Sequence, residues 1–388
     1  MSFSTPAPSP PSKLGVYRTF GPKAGVRVSP LALGGASIGD KRNELMGNQN
    51  KERSFTLLDT YFDLGGNFID TANAYRDGSS EEFIGEWAEK RGIRDQLFIA
   101  TKYTQNSQRD DPNITQKPLY IGNSVKSLHL SIEVSLKRLR TSYVDLLYVH
   151  WWDYETPVKE VMDALHNLVV QGKVLYLGIS DTPAWVVAQA NSYAEFHGKT
   201  PFVVYQGAWN IMDRSIEREI LPMARSLGLA IAPFDIVGGG RFRSNAEDEQ
   251  RRQSGEKGRM WQGSWERTED EIKISKALEK VADELGAKNL RSVAIAYVLQ
   301  AAPYVFPIIG GRKPENLIAN LEALDITLSK EQIEYLENVI PFNPGFPHIW
   351  IGDGTKPQQI ISSVIHFQKV PPLQALPIPE LGSAEANK

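Results

Sequence analysis

Three observations predict a closed (β/α)8 barrel of the TIM type. Eight short apolar runs recur along the chain, amphipathic stretches with helical spacing separate them, and no second sheet-forming region follows. The runs occupy residues 31–36, 67–70, 97–103, 144–150, 173–180, 201–206, 229–235 and 304–310. Strands that are apolar on both faces and alternate with helices belong to a parallel sheet covered by helices. Eight such units close on themselves. An open doubly wound sheet is the alternative, but no strand runs into a spaced G-x-G-x-x-G opening a helix, as a dinucleotide-binding sheet requires. Gly238-Gly239-Gly240 lacks that spacing and reads as a loop entry.

The remaining residues are additions to the barrel. A bare barrel takes about 250 residues, and this chain has 388. Residues 1–13 read as a disordered arm, and 14–340 as a single domain. Within that domain, alternating runs around Gly21-Pro22 predict a hairpin closing the barrel floor. Residues 238–268, charged and carrying Trp261 and Trp265, form a long loop after the seventh strand, expected as a lid on the active face. The proline- and aromatic-rich stretch 341–388 is expected to fold back over the barrel mouth as a C-terminal extension.

Composition narrows the chemistry. With no cysteine, disulfides, thiolate metal sites and thiol nucleophiles are excluded, so any redox step falls to a bound cofactor. A net charge of −3 gives no case for nucleic acid or an anionic membrane as partner. No run reaches the roughly 18 to 20 apolar residues of a membrane helix, and no secretory signal opens the chain, so a cytoplasmic protein is expected. Asn113-Ile114-Thr115 then reads as a surface triplet rather than a glycosylation site. No metal is expected either: His129, His166 and His197 fall on surface helices, without ligand spacing. Nothing in the sequence addresses oligomeric state.

Barrel chemistry collects at the C-terminal ends of strands. There the sequence delivers Asp70, Tyr75 shortly after it, Lys102 and His150, from three consecutive strands. Lys102 sits in an otherwise apolar strand, and a buried ammonium needs an anion such as Asp70 beside it. Ser180 and Asp181 follow the fifth strand, and Gln206 ends the sixth, with Asn210 beyond.

These residues resemble the aldo-keto reductase tetrad: D-T-A-x-x-Y from Asp70 to Tyr75, Lys102 in IATK, and His150 in LLYVHWWD. The resemblance continues through GIS at 178–180, YQ at 205–206 and PIIGGRKPENLIANLEAL from Pro307 to Leu324, and so spans roughly residues 14–340. Within the family, the chain is most similar to the fungal aryl-alcohol dehydrogenase and norsolorinic acid reductase type. The resemblance implies reversible hydride transfer between NADPH and a small carbonyl substrate, with Tyr75 as proton donor, Lys102 and Asp70 tuning it, and His150 orienting the carbonyl oxygen.

It also implies a cofactor path. Ser180, Asp181 and Gln206 are expected at the nicotinamide carboxamide, with Phe234 beside them. Gly310, Gly311, Arg312, Lys313, Asn316 and Asn320 are expected at the 2′-phosphate and adenine. Cations at a loop entering a helix suit a phosphate and otherwise oppose the helix dipole. Two departures from the family pattern stand out: Arg76 replaces a common Gly and is expected to alter only a loop, and Asp181 replaces a common Asn. Tyr103, Trp151, Trp152 and Trp209 are expected to line an aromatic substrate pocket. Two other readings use the same residues: a Schiff-base aldolase with Lys102 as nucleophile, and a redox-sensing subunit that binds cofactor and turns over slowly.

Overall fold

In a computed structural model, which describes residues 7–255 and 265–376, strands form wherever the apolar runs predict them. An antiparallel hairpin comes first, β1 (Arg18–Gly21) and β2 (Ala24–Val28). Eight parallel strands follow: β3 (Ala32–Gly34), β4 (Phe68–Asp70), β5 (Phe98–Tyr103), β6 (Val144–Val149), β7 (Val174–Ser180), β8 (Phe202–Ala208), β9 (Ala230–Phe234) and β10 (Ile308–Ile309). Their order is β10-β3-β4-β5-β6-β7-β8-β9. The ring closes between the ends of that order, where Ile231 N–H donates to the Tyr304 carbonyl at 2.9 Å and Phe306 N–H donates to the Ile231 carbonyl at 2.8 Å. Around it lie helices such as Lys51–Asp63, Ser79–Arg91, Val125–Arg138, Val158–Val170, Ala184–Phe196 and Ile216–Leu227.

The period-two alternation of each strand separates two cores. One set of side chains packs outward against the helices. The other points inward: Phe20, Ala32, Phe68, Phe98, Ala100, Leu146, Tyr148, Val204, Ala230, Ala232 and Phe306. Followed upward, the inward set passes from apolar to polar: Phe68 to Asp70, Ala100 to Lys102, Val204 to Gln206. Gly178 is part of that fit, because a Cβ there would lie 2.5 Å from the Tyr148 ring. The hairpin plugs the lower end, with Phe20 buried against Phe68, Phe98 and Phe306.

Three additions are anchored to the barrel domain. The last residues of the N-terminal arm are docked, not disordered: Ser12 Oγ donates to the Leu64 carbonyl at 2.7 Å, and Lys13 pairs with Asp325 at 2.6 Å. Residues 1–6 lie outside the described part. After β9, Gly238, Gly239 and Gly240 all take positive φ, which favours glycine. A helix over Asn245–Ser254 then begins with a Ser244/Glu247 capping box. It is tied down by buried Arg243, which donates to Asp248 at 2.5 Å and to the Trp265 carbonyl at 2.9 Å. Arg267 holds the same carboxylate from the other side. Trp261 lies outside the described residues.

The described C-terminal extension makes its polar contacts on the outer face of helix Ile216–Leu227, not across the mouth. Arg218 donates to the Pro344 and Asn343 carbonyls at 2.7 and 3.0 Å, His348 meets Glu219, and Arg225 meets Asp353. The helix carries its charged residues outward, and the extension supplies carbonyls and a Phe342 ring to Arg218, the ring also meeting Arg214 just before the helix. Residues 377–388 lie outside the described part. Among the described residues, no helix is long and apolar enough to cross a membrane.

Candidate active site

Lys102 is fully buried near the end of β5, and its ammonium has three hydrogens. Each has an acceptor: Asp70 Oδ1 at 2.5 Å, the Thr71 carbonyl at 2.9 Å and the Tyr75 hydroxyl at 3.4 Å. Burial is the largest single influence on this amine and pushes its pKa down, but the charges and hydrogen bonds of Asp70 and Tyr75 together leave it raised. The amine therefore stays an ammonium, which opposes its use as an imine-forming nucleophile. The other Asp70 oxygen accepts from Gln206 Nε2 at 2.9 Å, so both are committed.

Tyr75 is half-buried and reaches this ammonium from the turn after β4. His150 closes the group from β6, its ring edge-on to Tyr75 with centroids 5.9 Å apart. Burial first, and the Lys102 charge second, hold the His150 pKa well below the usual imidazole value. The ring is neutral at physiological pH and donates a single N–H. Its Nδ1 is buried without a partner in the protein. The four residues predicted at the strand ends thus meet, and the arrangement suits transfer of a proton from a phenol polarised by an ammonium.

Beside this group, Ser180 Oγ is buried and unpartnered at the end of β7. Asp181 follows in a left-handed conformation with φ of 41°. The residue is exposed at its surface, but desolvation of the carboxyl pushes its pKa up to about 6, against the opposing charge of Lys102. Gln206 is tied to the tetrad through Asp70 and presents its remaining amide atoms to a ligand. Phe234 is half-buried at the end of β9. On the far side, Gly310 and Gly311 follow β10, Arg312 is half-buried, and Lys313 is the exposed N-cap of helix Pro314–Leu321. Asn316 is exposed, while Asn320 is buried with an unpartnered Oδ1. Orphaned polar atoms at both ends, Ser180 Oγ and Asn320 Oδ1, fit a long polar cofactor laid across the mouth.

The aromatic pocket is smaller than expected. Trp209 is fully buried with its indole N–H donating to Glu217 at 3.1 Å, and Tyr103 is buried with its hydroxyl donating to the Asn123 carbonyl at 3.3 Å. Both are core residues that offer no surface to a substrate. Trp152 is buried in the same core, which leaves Trp151 as the partly exposed member of the four. Two neighbours of the group lie outside the sequence expectations. Tyr148 pairs in register with Lys102, its ring centroid 5.6 Å from the ammonium; burial, chiefly, raises its pKa well above the usual phenol value. Strand alternation from His150 could have found it. Arg138 donates to the Asn73 carbonyl at 2.8 Å behind the Tyr75 turn, and no local sequence signal marks it. Among the described residues, no cluster could hold a metal ion.

A parallel barrel whose strand ends gather a carboxylate, an ammonium, a phenol and a neutral imidazole defines an oxidoreductase of the carbonyl–alcohol class. The aldo/keto reductase family profile matches residues 30–341, and the chain belongs to that family. An aryl-alcohol dehydrogenase (NADP(+)) of Phanerodontia chrysosporium is 55% identical over 381 residues, 97% of this chain and 99% of the relative. A putative aryl-alcohol dehydrogenase of Saccharomyces cerevisiae is 54% identical over 90% of this chain and 93% of its own. Norsolorinic acid reductase B of Dothistroma septosporum is 46% identical, covering 88% and 86%.

Proposed function

We propose that the chain reduces an aldehyde or ketone, an aryl aldehyde above all, to the alcohol with NADPH, and runs the reverse reaction when alcohol is supplied. The observation that carries this reading is the Lys102 ammonium aimed at the Tyr75 hydroxyl, with its other two hydrogens already committed. The family and the printed name of the Phanerodontia relative support the cofactor and substrate class.

When bound, the nicotinamide supplies hydride. Everything else falls to the protein. Tyr75 donates its phenolic proton to the carbonyl oxygen as negative charge grows there, and Lys102 stabilises the phenolate left behind. Asp70 keeps Lys102 charged and fixed. The neutral His150 donates its N–H to the same oxygen and sets its angle. Ser180, Asp181 and Gln206 hold the carboxamide, which selects the ring face. Asp181 below pH 6 carries a proton and donates, and above it only accepts. Arg312 and Lys313 take the 2′-phosphate.

The test is NADPH oxidation, followed by its near-ultraviolet absorbance, against matched aryl, alkyl and polycyclic carbonyls. Aryl aldehydes are expected to give the highest kcat/KM. Equal rates for alkyl and aryl aldehydes would remove the aryl assignment, and no oxidation by any carbonyl would remove the activity.

A further inference from the structure

Arg76, next to the tetrad tyrosine, was expected to alter only a loop. Its side chain is instead buried, 3% exposed, and one stretch of chain supplies a set of acceptors around it. Nε donates to the Ala36 carbonyl at 3.3 Å. Nη1 donates to the Lys41 carbonyl at 3.1 Å and to Asn43 Oδ1 at 2.9 Å, and Nη2 to the Gly47 carbonyl at 3.1 Å. Residues 36–47, which follow β3, are thus wrapped around one guanidinium. The same stretch is sewn to the Tyr75 turn twice more. Arg42 pairs with Asp77 at 2.5 Å, and Asp40 N–H donates to Ser79 Oγ at 3.2 Å. Gly39 packs so closely that a Cβ there would lie 2.9 Å from the Arg76 Cβ.

The far end of the stretch reaches the other side of the mouth. Gly47 lies against Arg312: a Cβ on it would fall 2.0 Å from Arg312 Nη1, and its φ of 82° is one that glycine alone adopts easily. Meanwhile Arg76 and Asp77 are both left-handed, with φ of 53° and 49°, a costly pair for residues with side chains. The surrounding bonds hold that strain in place.

We propose that Arg76 is a positioning residue that latches residues 36–47 as a strap, so that Gly47 braces Arg312 and thereby sets the preference for a cofactor bearing a 2′-phosphate. The proposal rests on the reading of Arg312 as the 2′-phosphate ligand. A free arginine loses rotamer freedom when it grips an anion, and one already braced loses less, so the braced form binds more tightly. Arg76 touches no cofactor in this scheme. Its effect is specific to the phosphate, which a general structural role is not.

Calorimetric titration of the free protein with NADP+, NAD+ and 2′,5′-ADP decides the matter. Arg76→Lys and Gly47→Ala, which disturb opposite ends of the strap, are each expected to weaken NADP+ and 2′,5′-ADP about tenfold while leaving NAD+ unchanged. Arg312→Met is the control and is expected to erase the NADP+ preference. If it does so while both strap variants keep the wild-type NADP+ to NAD+ ratio, the strap is overturned and the Arg312 reading stands. If Arg312→Met keeps the preference, the Arg312 reading fails and takes the strap with it. Equal weakening of NADP+ and NAD+ in the strap variants also overturns the proposal. Should Arg76→Lys fail to fold, Asn43→Ala, which removes one acceptor of the Arg76 guanidinium, takes its place in the same comparison.

Discussion

At the floor of the barrel, Phe20 from the hairpin meets Phe68, Phe98 and Phe306 at ring-centroid separations of 5.6, 5.3 and 5.1 Å, whereas the mouth at the other ends of the strands holds Asp70, Lys102 and Gln206. The phenylalanine rings of the floor carry no polar atom, so nothing in them calls for a partner. Polar atoms without a protein partner, His150 Nδ1 and Ser180 Oγ, cluster at the mouth. Burying such atoms costs free energy that a ligand can recover. One end of the strands is therefore built to hold the barrel together, and the other to be completed by something it binds.

Substitutions can break that division. The largest effect belongs to the mouth: Tyr75→Phe is expected to lower kcat roughly a hundredfold to ten-thousandfold by removing the transferred proton. Tm and cofactor Kd stay as in the wild type, and retention of more than a few per cent of the rate would remove Tyr75 from its role. Next comes the floor. Phe20→Ala leaves a cavity under the strands and is expected to cost about 3–5 kcal/mol in chemical denaturation, with kcat per folded molecule unchanged. A fall in kcat without loss of stability would mean that the two ends are not separable.

The smallest effect sharpens the comparison within the mouth itself. Asp181 has a pKa raised to about 6, so the folded state disfavours its charged form. Below the ordinary aspartate value both folded and unfolded chains carry the proton, and the penalty is absent. As pH rises through about 6 it becomes complete. Asp181→Asn is accordingly expected to match wild-type Tm near pH 4 and to exceed it above pH 6. A Tm difference that stays constant across this range would place the carboxyl in open solvent.

Much of this architecture is legible in the sequence. Strands β3 to β10 are legible because a strand covered on both faces is largely apolar, and short runs such as LFIATKY recur between stretches of helical spacing. The tetrad was readable because each member ends one of those runs or directly follows it. Trp209 was not: a tryptophan just past a strand can face the mouth or the helices, and only the Glu217 partner for its indole decides. Gln206, expected at the cofactor, also donates to Asp70, 136 residues earlier, a contact that strand-end position does not reveal. Arg76 was misjudged for the same reason, since its acceptors lie about 30 to 40 residues upstream.

By itself the sequence determined the eight-fold repeat, the hairpin at the floor and the four residues that meet at the rim, because period, turn residues and strand-end position are local properties of the chain. The tertiary structure decided which side chains are spoken for. Whether a buried donor or acceptor is satisfied depends on what other strands and loops bring within about 3 Å of it, and no stretch of sequence carries that information alone.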